Sequence, residues 1–381
     1  MGQKKTRVVI MRAGTSKGIF INTVDLPKDL AERNQLILKI FGSPDIRQID
    51  GLGGADPLTS KLAIIGPSTL EGADVDYTFG QVSYVAPTID FSGNCGNISA
   101  GVGPYAVDEG LVEVKEPYTT VRVHNTNTGK ILVETVKVEN GKAVVEGDYA
   151  IDGVPGTGEK IEIDFSKTAG SKTGKLLPTG NVVDTMEVSG VGEIMCSIVD
   201  AANPMVFVKA KDIGLTGIET PAQIDKDQTI LNILEEIRGK AAVIIGAAKD
   251  TKDALENSPA FPMVAFVSPA QDYNDFTTGK LITENEIDFV SRLMFMQVVH
   301  KTYAGTGTIC TGAAAKIKGT VVNQVMEEKG KGQELTLNIG HPAGTIEIDV
   351  AAKEVNGEWE LEKAAINRTA RRIMEGFCYT V

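Results

Sequence analysis

Apolar residues along this chain follow two rhythms. Short β-branched runs bounded by Gly, Asn or Asp predict strands at 7–12, 18–22, 62–65, 75–85, 120–124, 131–138, 143–146 and 161–165. The signal resumes at Met186, 194–200 and 204–209, then at 335–339, 345–350 and 359–366. Helical spacing is rarer. It predicts helices at 28–41 and at 227–238, where Ile230, Leu231, Leu234 and Ile237 recur on one side. Another should follow Cys95, with Ile98, Val102, Tyr105, Ala106 and Val107 on its apolar side. Pro104 implies a kink there, or a helix assembled in two parts. Thr283-Glu-Asn-Glu286 reads as a capping box opening a helix that carries Ile287, Val290, Leu293, Met294 and Val298. The small residues after Cys310 predict one more helix start.

The elements repeat coarsely. Each half has several strands, then a small-residue loop holding a cysteine, then a helix poor in bulky side chains. At 381 residues the chain is long enough for two domains. The polar, Gly-rich stretch 166–181 reads as a surface segment near their boundary, so domains are expected at 1–184 and 185–366. The class is α+β.

Composition removes several functions. A net charge of −12 repels polyanions and argues against nucleic acid. No apolar run approaches the roughly 20 residues that span a bilayer, so no membrane role is expected. Four cysteines far apart in sequence, with no CxxC spacing, fit a reducing compartment, by default the cytoplasm. The three histidines lack metal-ligand spacing, so no zinc site is expected, and a thiol and an amine can move protons with neither a metal nor an organic cofactor. Walker A and GxSxG patterns are missing, and Gly101-Val-Gly-Pro-Tyr-Ala106 is a poor dinucleotide fingerprint.

The remaining chemistry sits in four segments. Cys95 lies in Ser92-Gly-Asn-Cys-Gly-Asn97, where Gly and Asn permit close backbone approach and a helix start favours a thiolate. Lys61 follows a Gly-rich loop and precedes the apolar run Leu62-Ala-Ile-Ile65. Partial desolvation there would free the amine as a base; a lysine that stays protonated would anchor a carboxylate. Arg12, Thr15, Ser16 and Lys17 form a polar turn suited to a carboxylate, or a plain hairpin turn. Cys310 lies in Gly305-Thr-Gly-Thr-Ile-Cys-Thr-Gly312, as a second thiol or as packing at a helix start. His341 lies in a turn from which it could reach a cleft.

MRAGTSKG, DGLGGADPLTSK, SGNCGN, DAANP (200–204), the Cys310 loop, GHPAG and NRTARRIMEG (367–376) together resemble the PrpF family over essentially the whole chain. The resemblance implies a diaminopimelate-epimerase-like fold. Two similar domains would each wrap a curved or barrel-like, mostly antiparallel sheet around a central helix, with the site in the cleft between them and 367–381 returning to the first. It also implies an isomerase that shifts a double bond by a cofactor-independent allylic 1,3-proton transfer in a small unsaturated di- or tricarboxylate. Methylitaconate, methylaconitate, aconitate and oxalomesaconate are the family's substrates, and 3-methylitaconate converting to 2,3-dimethylmaleate is the first choice. By motif, Lys61 and Cys95 take the catalytic roles. Arg12, Thr15, Ser16, Ser60, Asn94, Gly96, Asn97, Cys310 and Thr311 are expected around the substrate. The resemblance further implies a homo-oligomer. Epimerases of this fold use two cysteines in Cys-Gly contexts. The Cys-Thr-Gly-Ala here departs from theirs and favours the lysine–cysteine pair. A two-cysteine racemase and a non-catalytic carboxylate-binding protein stand as alternatives.

Overall fold

The computed structural model describes residues 2–381. Its contacts divide the chain into two units, Met1–Ile163 with Asn367–Val381, and Asp164–Ile366. The first boundary thus precedes the one expected at 184/185. The stretch 166–181 is not a surface linker: Ser171, Leu176 and Leu177 are buried. The Asp200 carboxylate holds it by accepting from Ser171 Oγ at 2.7 Å and from the Lys172 and Thr173 N–H groups at 2.8 and 2.7 Å.

In the first unit, β1 (Lys4–Ala13) and β2 (Ser16–Asn22) form a hairpin in which Ala13 faces Ser16, leaving Gly14 and Thr15 as the turn. Gly14 adopts φ +52°, and a Cβ on it would meet Asn97 Oδ1 at 2.2 Å, so only glycine fits. Helix α1 (Leu30–Phe41) is capped by Asp29 and stopped by Gly42 in the left-handed region. Its buried side, Leu36, Ile37, Ile40 and Phe41, covers the outer sheet face of Val8, Ile19, Ile21, Leu62 and Ile64. Then β3 (Lys61–Pro67) runs parallel to β2, with Lys61 opposite Gly18. β4 (Val75–Val82) returns antiparallel, with Gln81 opposite Lys61. After the short β5 (Ile89–Asp90) come α2 (Gly96–Ser99) and α3 (Val102–Asp108), a helix in two parts as Pro104 implied. β6 (Tyr118–Asn125) lies parallel to β4, and β7 (Lys130–Glu139) pairs with β6. The final strand, Ala370–Thr380, pairs antiparallel along all of β1. Because α2 packs on β1 and β2 while α3 packs on β3, β6 and β7, the sheet curves around a buried helix.

The second unit repeats this order, with three outer helices where the first has one. Strands Gly192–Ala201 and Asn203–Lys209 form the hairpin, followed by helices α4 (Pro221–Asp225), α5 (Gln228–Ile244) and α6 (Thr251–Asn257). Strand Met263–Pro269 is parallel to the hairpin's second strand, and Phe289–Phe295 is antiparallel to it in turn. Helices α7 (Gly305–Lys316) and α8 (Val321–Glu327) precede the hairpin of Thr336–His341 and Gly344–Val355. Helix α7 is buried on all sides from Gly305 to Ala315. The α+β class and the similarity of the halves are therefore as expected.

Two expectations fail for stated reasons. The helix expected from Thr283 is a strand, Phe289–Phe295, buried along its whole length. Phe289, Val290, Leu293 and Met294 recur at helical spacing, and Ser291 and Arg292 are buried between them, so the pattern does not separate this strand from a helix. Thr283 and Glu286 instead close a local turn, the Thr283 N–H and hydroxyl donating to the Glu286 carboxylate at 2.8 and 2.9 Å. The Cys310 segment is not a loop: α7 begins at Gly305 after Ala304, which places Cys310 inside the helix. Its glycines mark close packing rather than a turn. A Cβ on Gly307 would meet Leu293 at 2.7 Å, and one on Gly312 would meet Ile348 at 2.7 Å.

Candidate active site

Strand alternation decides which side chains face α2. Ile19 and Ile21 point to the outer core under α1, so Ser16, Gly18 and Phe20 point inward. Lys61, opposite Gly18, and Gln81, opposite Lys61, share that inner face. Lys61 is only 3% exposed. Its Nζ donates to Gln81 Oε1 at 3.2 Å, lies 3.5 Å from Cys95 Sγ and sits 5.5 Å from the centre of the Phe79 ring. Gln81 is fixed in turn, its Nε2 donating to the Pro57 and Ser60 carbonyls at 3.2 and 3.1 Å.

Cys95 is the N-cap of α2 and 9% exposed. Asn94 Oδ1 accepts its N–H at 2.7 Å and the Ser99 hydroxyl at 3.3 Å, and the Ser99 N–H bonds to the Cys95 carbonyl at 2.8 Å. With four residues, α2 carries little macrodipole, so the nearest large charge available to the thiol is Lys61. Beneath it, Tyr77 is fully buried, and burial together with the nearby thiol pushes its phenol up.

The hairpin turn meets α2 through Asn97. Asn97 Oδ1 accepts the Thr15 N–H at 3.3 Å and Arg368 Nε at 3.2 Å, while its Nδ2 donates to Thr15 Oγ1 at 3.1 Å. Ser16 is 2% exposed, and its hydroxyl has no hydrogen-bond partner. Gly96 is buried in the first turn of α2. Ser60 accepts from Gln48 Nε2 at 2.9 Å, and Gln48 Oε1 accepts the Ala55 N–H at 2.8 Å, so this pair shapes the loop entering β3. Arg12 alternates with Lys17 to the opposite side of the hairpin from Ser16. Its Nη1 donates to the Thr369 carbonyl, to Thr369 Oγ1 at 2.7 Å and to the Gly14 carbonyl at 3.4 Å. Burial, and then Arg371, lower its guanidinium to about 10, still protonated at neutral pH.

The first unit thus gathers Thr15, Ser16, Ser60, Lys61, Asn94, Cys95, Gly96 and Asn97, while Arg12 faces the other side of the hairpin and is not brought to this face. Cys310 and Thr311 belong to the second. There the Cys310 thiol, fully buried, donates to the Val199 carbonyl at 3.2 Å, and burial pushes it well above the ordinary thiol range. Thr311 joins a buried hydroxyl chain through Tyr303 (2.9 Å) to Ser291 (2.7 Å). The counterpart of Cys95 in the repeat, the residue capping the buried helix, is Ala304. His341 is satisfied within its own turn by the Thr345 carbonyl and the Ala343 N–H. Among the described residues, no cluster of His, Cys, Asp or Glu could hold a metal ion, and no helix is long and apolar enough to cross a membrane.

Three residues escaped the sequence reading. Gln81 and Gln48 orient the segment around Lys61, and a glutamine inside the apolar run of β4 was the available signal. Arg368 lay in a basic cluster with nothing to distinguish it from Arg371 and Arg372.

Known proteins resemble this chain in sequence and fold. The family model described as "PrpF protein" matches residues 3–381. The 3-methylitaconate isomerase of Eubacterium barkeri is 60% identical over 99% of this chain and 97% of its own length. The 2-methyl-aconitate isomerase of Shewanella oneidensis (strain MR-1) is 37% identical over 98% and 96%. A crystal structure of methylitaconate-delta-isomerase, 60% identical, superposes with a TM-score of 0.81 over 100% of this chain and 96% of that one. From its first described strand to its last, this chain belongs to the PrpF family.

Proposed function

We propose that this enzyme interconverts 3-methylitaconate and 2,3-dimethylmaleate by an allylic 1,3-proton shift, with Lys61 and Cys95 as the proton-handling groups. The observation that carries the reading is the 3.5 Å approach of Lys61 Nζ to Cys95 Sγ on one buried face. The greater identity to the methylitaconate isomerase than to the methylaconitate isomerase supports the choice of substrate.

The reaction needs one proton removed and one returned. A base, the Lys61 amine or the Cys95 thiolate, takes the hydrogen from the carbon that bears both a carboxylate and the methylene-substituted neighbour. The released pair spreads through the double bond to the methylene carbon and into the carboxylate on the carbon that lost the proton, where fixed donors stabilise it better than mobile water does. A proton then adds to the terminal methylene carbon, which becomes a methyl group. When one group removes and the other returns the proton, they finish in exchanged states. At 3.5 Å a single proton transfer between them resets the pair. Thr15, Ser16 and Asn97 stand on the same side to hold a carboxylate.

The two-thiol alternative is disfavoured by Ala304 standing where a second helix-capping cysteine would be needed. The reading also has the enzyme acting in the cytoplasm, consistent with four unpaired cysteines, and as a homo-oligomer, which light scattering tests. Proton NMR in deuterated buffer, against 3-methylitaconate, 2-methylaconitate, aconitate and oxalomesaconate, tests the substrate. Fastest conversion of methylitaconate, with deuterium entering the new methyl group, is expected. Faster turnover of a tricarboxylate would replace the substrate. Dicarboxylate binding without carbon-bound exchange would leave a binding protein.

A further inference from the structure

Among the described residues, Arg368 is a cation without a carboxylate partner, in a place where a charge is costly. It closes the strand Glu358–Arg368, is 3% exposed, and forms none of the first unit's carboxylate pairs. Nε donates to Asn97 Oδ1 at 3.2 Å and Nη1 to the Asn367 carbonyl at 2.7 Å, but buried Nη2 has no partner. Burial lowers the guanidinium only to about 10, so it stays charged at neutral pH.

A buried, incompletely bonded guanidinium is costly unless an anion completes it. Neighbouring arginines show how this chain satisfies such groups. Arg7 and Arg372 share the Glu109 carboxylate at 2.6 and 2.8 Å, and Arg12 bonds the Thr369 and Gly14 carbonyls. Arg368 alone of these four keeps a buried N–H unused. The Asn97 amide that orients it also receives the Thr15 N–H, and Asn97 follows Cys95 by two residues. On the adjoining β2, the buried hydroxyl of Ser16 is likewise unpartnered and directed to the inner face.

We infer that Arg368 binds one substrate carboxylate, its Nη2 donating to the anion together with the Ser16 hydroxyl while Asn97 holds the guanidinium in place. This rests on the isomerase reading and deepens it. It assigns one end of the substrate a buried cation and makes one of its two carboxylates the more strongly held. Arginine matters for its flat fork, which keeps two N–H groups on protein while a third points to ligand; lysine has no such geometry.

The test couples residue to ligand. KM and kcat are measured for wild type, Arg368→Lys and Arg368→Met with 3-methylitaconate and with each of its two monomethyl esters. Arg368→Met is expected to raise KM about 100-fold, more than it lowers kcat, as truncation of a desolvated charge pair does. One monoester should lose a similar factor with wild type yet lose little more with the variant, whereas the other ester should lose both penalties. Equal, additive penalties for both esters would overturn the inference, as would an unchanged KM. If Arg368→Met does not fold, the same cycle is read on Arg368→Lys. Calorimetry with 2,3-dimethylsuccinate, which cannot isomerise, separates this inference from the function. Weakened binding to Arg368→Lys supports the anchor even where wild type turns nothing over, and equal binding to both proteins refutes it.

Discussion

At the scale of residues, the site is a short list of atoms with fixed neighbours. Lys61→Met and Cys95→Ser should each lower kcat by about 10³-fold, the range expected for a lost proton-transfer group, with circular dichroism unchanged. Gln81→Met removes the acceptor that aims Lys61 Nζ and should lower kcat by about tenfold while KM holds. A Gln81→Met enzyme with wild-type kcat would dissociate the amide from positioning. Gly14→Ala must strain a positive φ and displace Asn97, so KM should rise and stability fall by more than about 1 kcal/mol, read by denaturant titration. Cys95 and Lys61 were legible because reactive side chains stood among Gly, Ser and Asn. Gln81 and Arg368 were not, since their roles come from cross-strand register and from a return of the chain across some 270 residues.

Elements explain why the second cysteine misled. In sequence, Gly-Thr-Gly-Thr before Cys310 has the composition of a turn. In the fold it is a helix whose missing side chains let Leu293 and Ile348 pack onto its backbone. Cys310→Ala should therefore keep kcat within about threefold while lowering Tm, because a small buried group and its bond to Val199 are lost. Loss of activity in a folded Cys310→Ala enzyme would revive the second thiol. The strands were legible where apolar and polar residues alternate, and the buried strand Phe289–Phe295 was not, since Phe289, Val290, Leu293 and Met294 recur at helical spacing while Ser291 and Arg292 are buried with them. In the first unit, β7 carries its own pH sensor. Glu134 is fully buried, accepts the Gly103 N–H at 2.8 Å, and burial raises it to about 8 from the ordinary 4.5. The folded protein keeps a proton that the unfolded chain releases. Stability from this group is thus full below 4.5 and is lost, at about 1.4 kcal/mol per pH unit, as pH rises to about 8. Glu134→Gln keeps an acceptor for Gly103 without the titration, so its Tm should decline less than wild type between about pH 5 and 8. Parallel Tm curves would refute the assignment.

For the whole molecule, the duplicated order of hairpin, outer helix, strand pair, buried helix and hairpin was foreshadowed only as a coarse rhythm. Sequence identity between the halves is too weak to carry it, and each half keeps its own chemistry. The division at Ile163/Asp164 was hidden because 166–181 has the composition of a linker while Asp200 bonds it into the second unit. The strand Ala370–Thr380 covers the full length of β1. Deleting 367–381 should leave β1 as a bare edge, cost the chain its solubility, and remove all activity. A soluble, active truncation would contradict the pairing.

That returning strand also sets an order of events during synthesis. Residues 164–366 form one uninterrupted stretch, so their unit needs no residue made after them. The amino-terminal portion, although made first, waits for its last strand until residues 370–380 have followed. Arg368 travels with that strand. A growing chain can therefore bring Lys61 beside Cys95 before Arg368 has been added, and connectivity alone orders the two events.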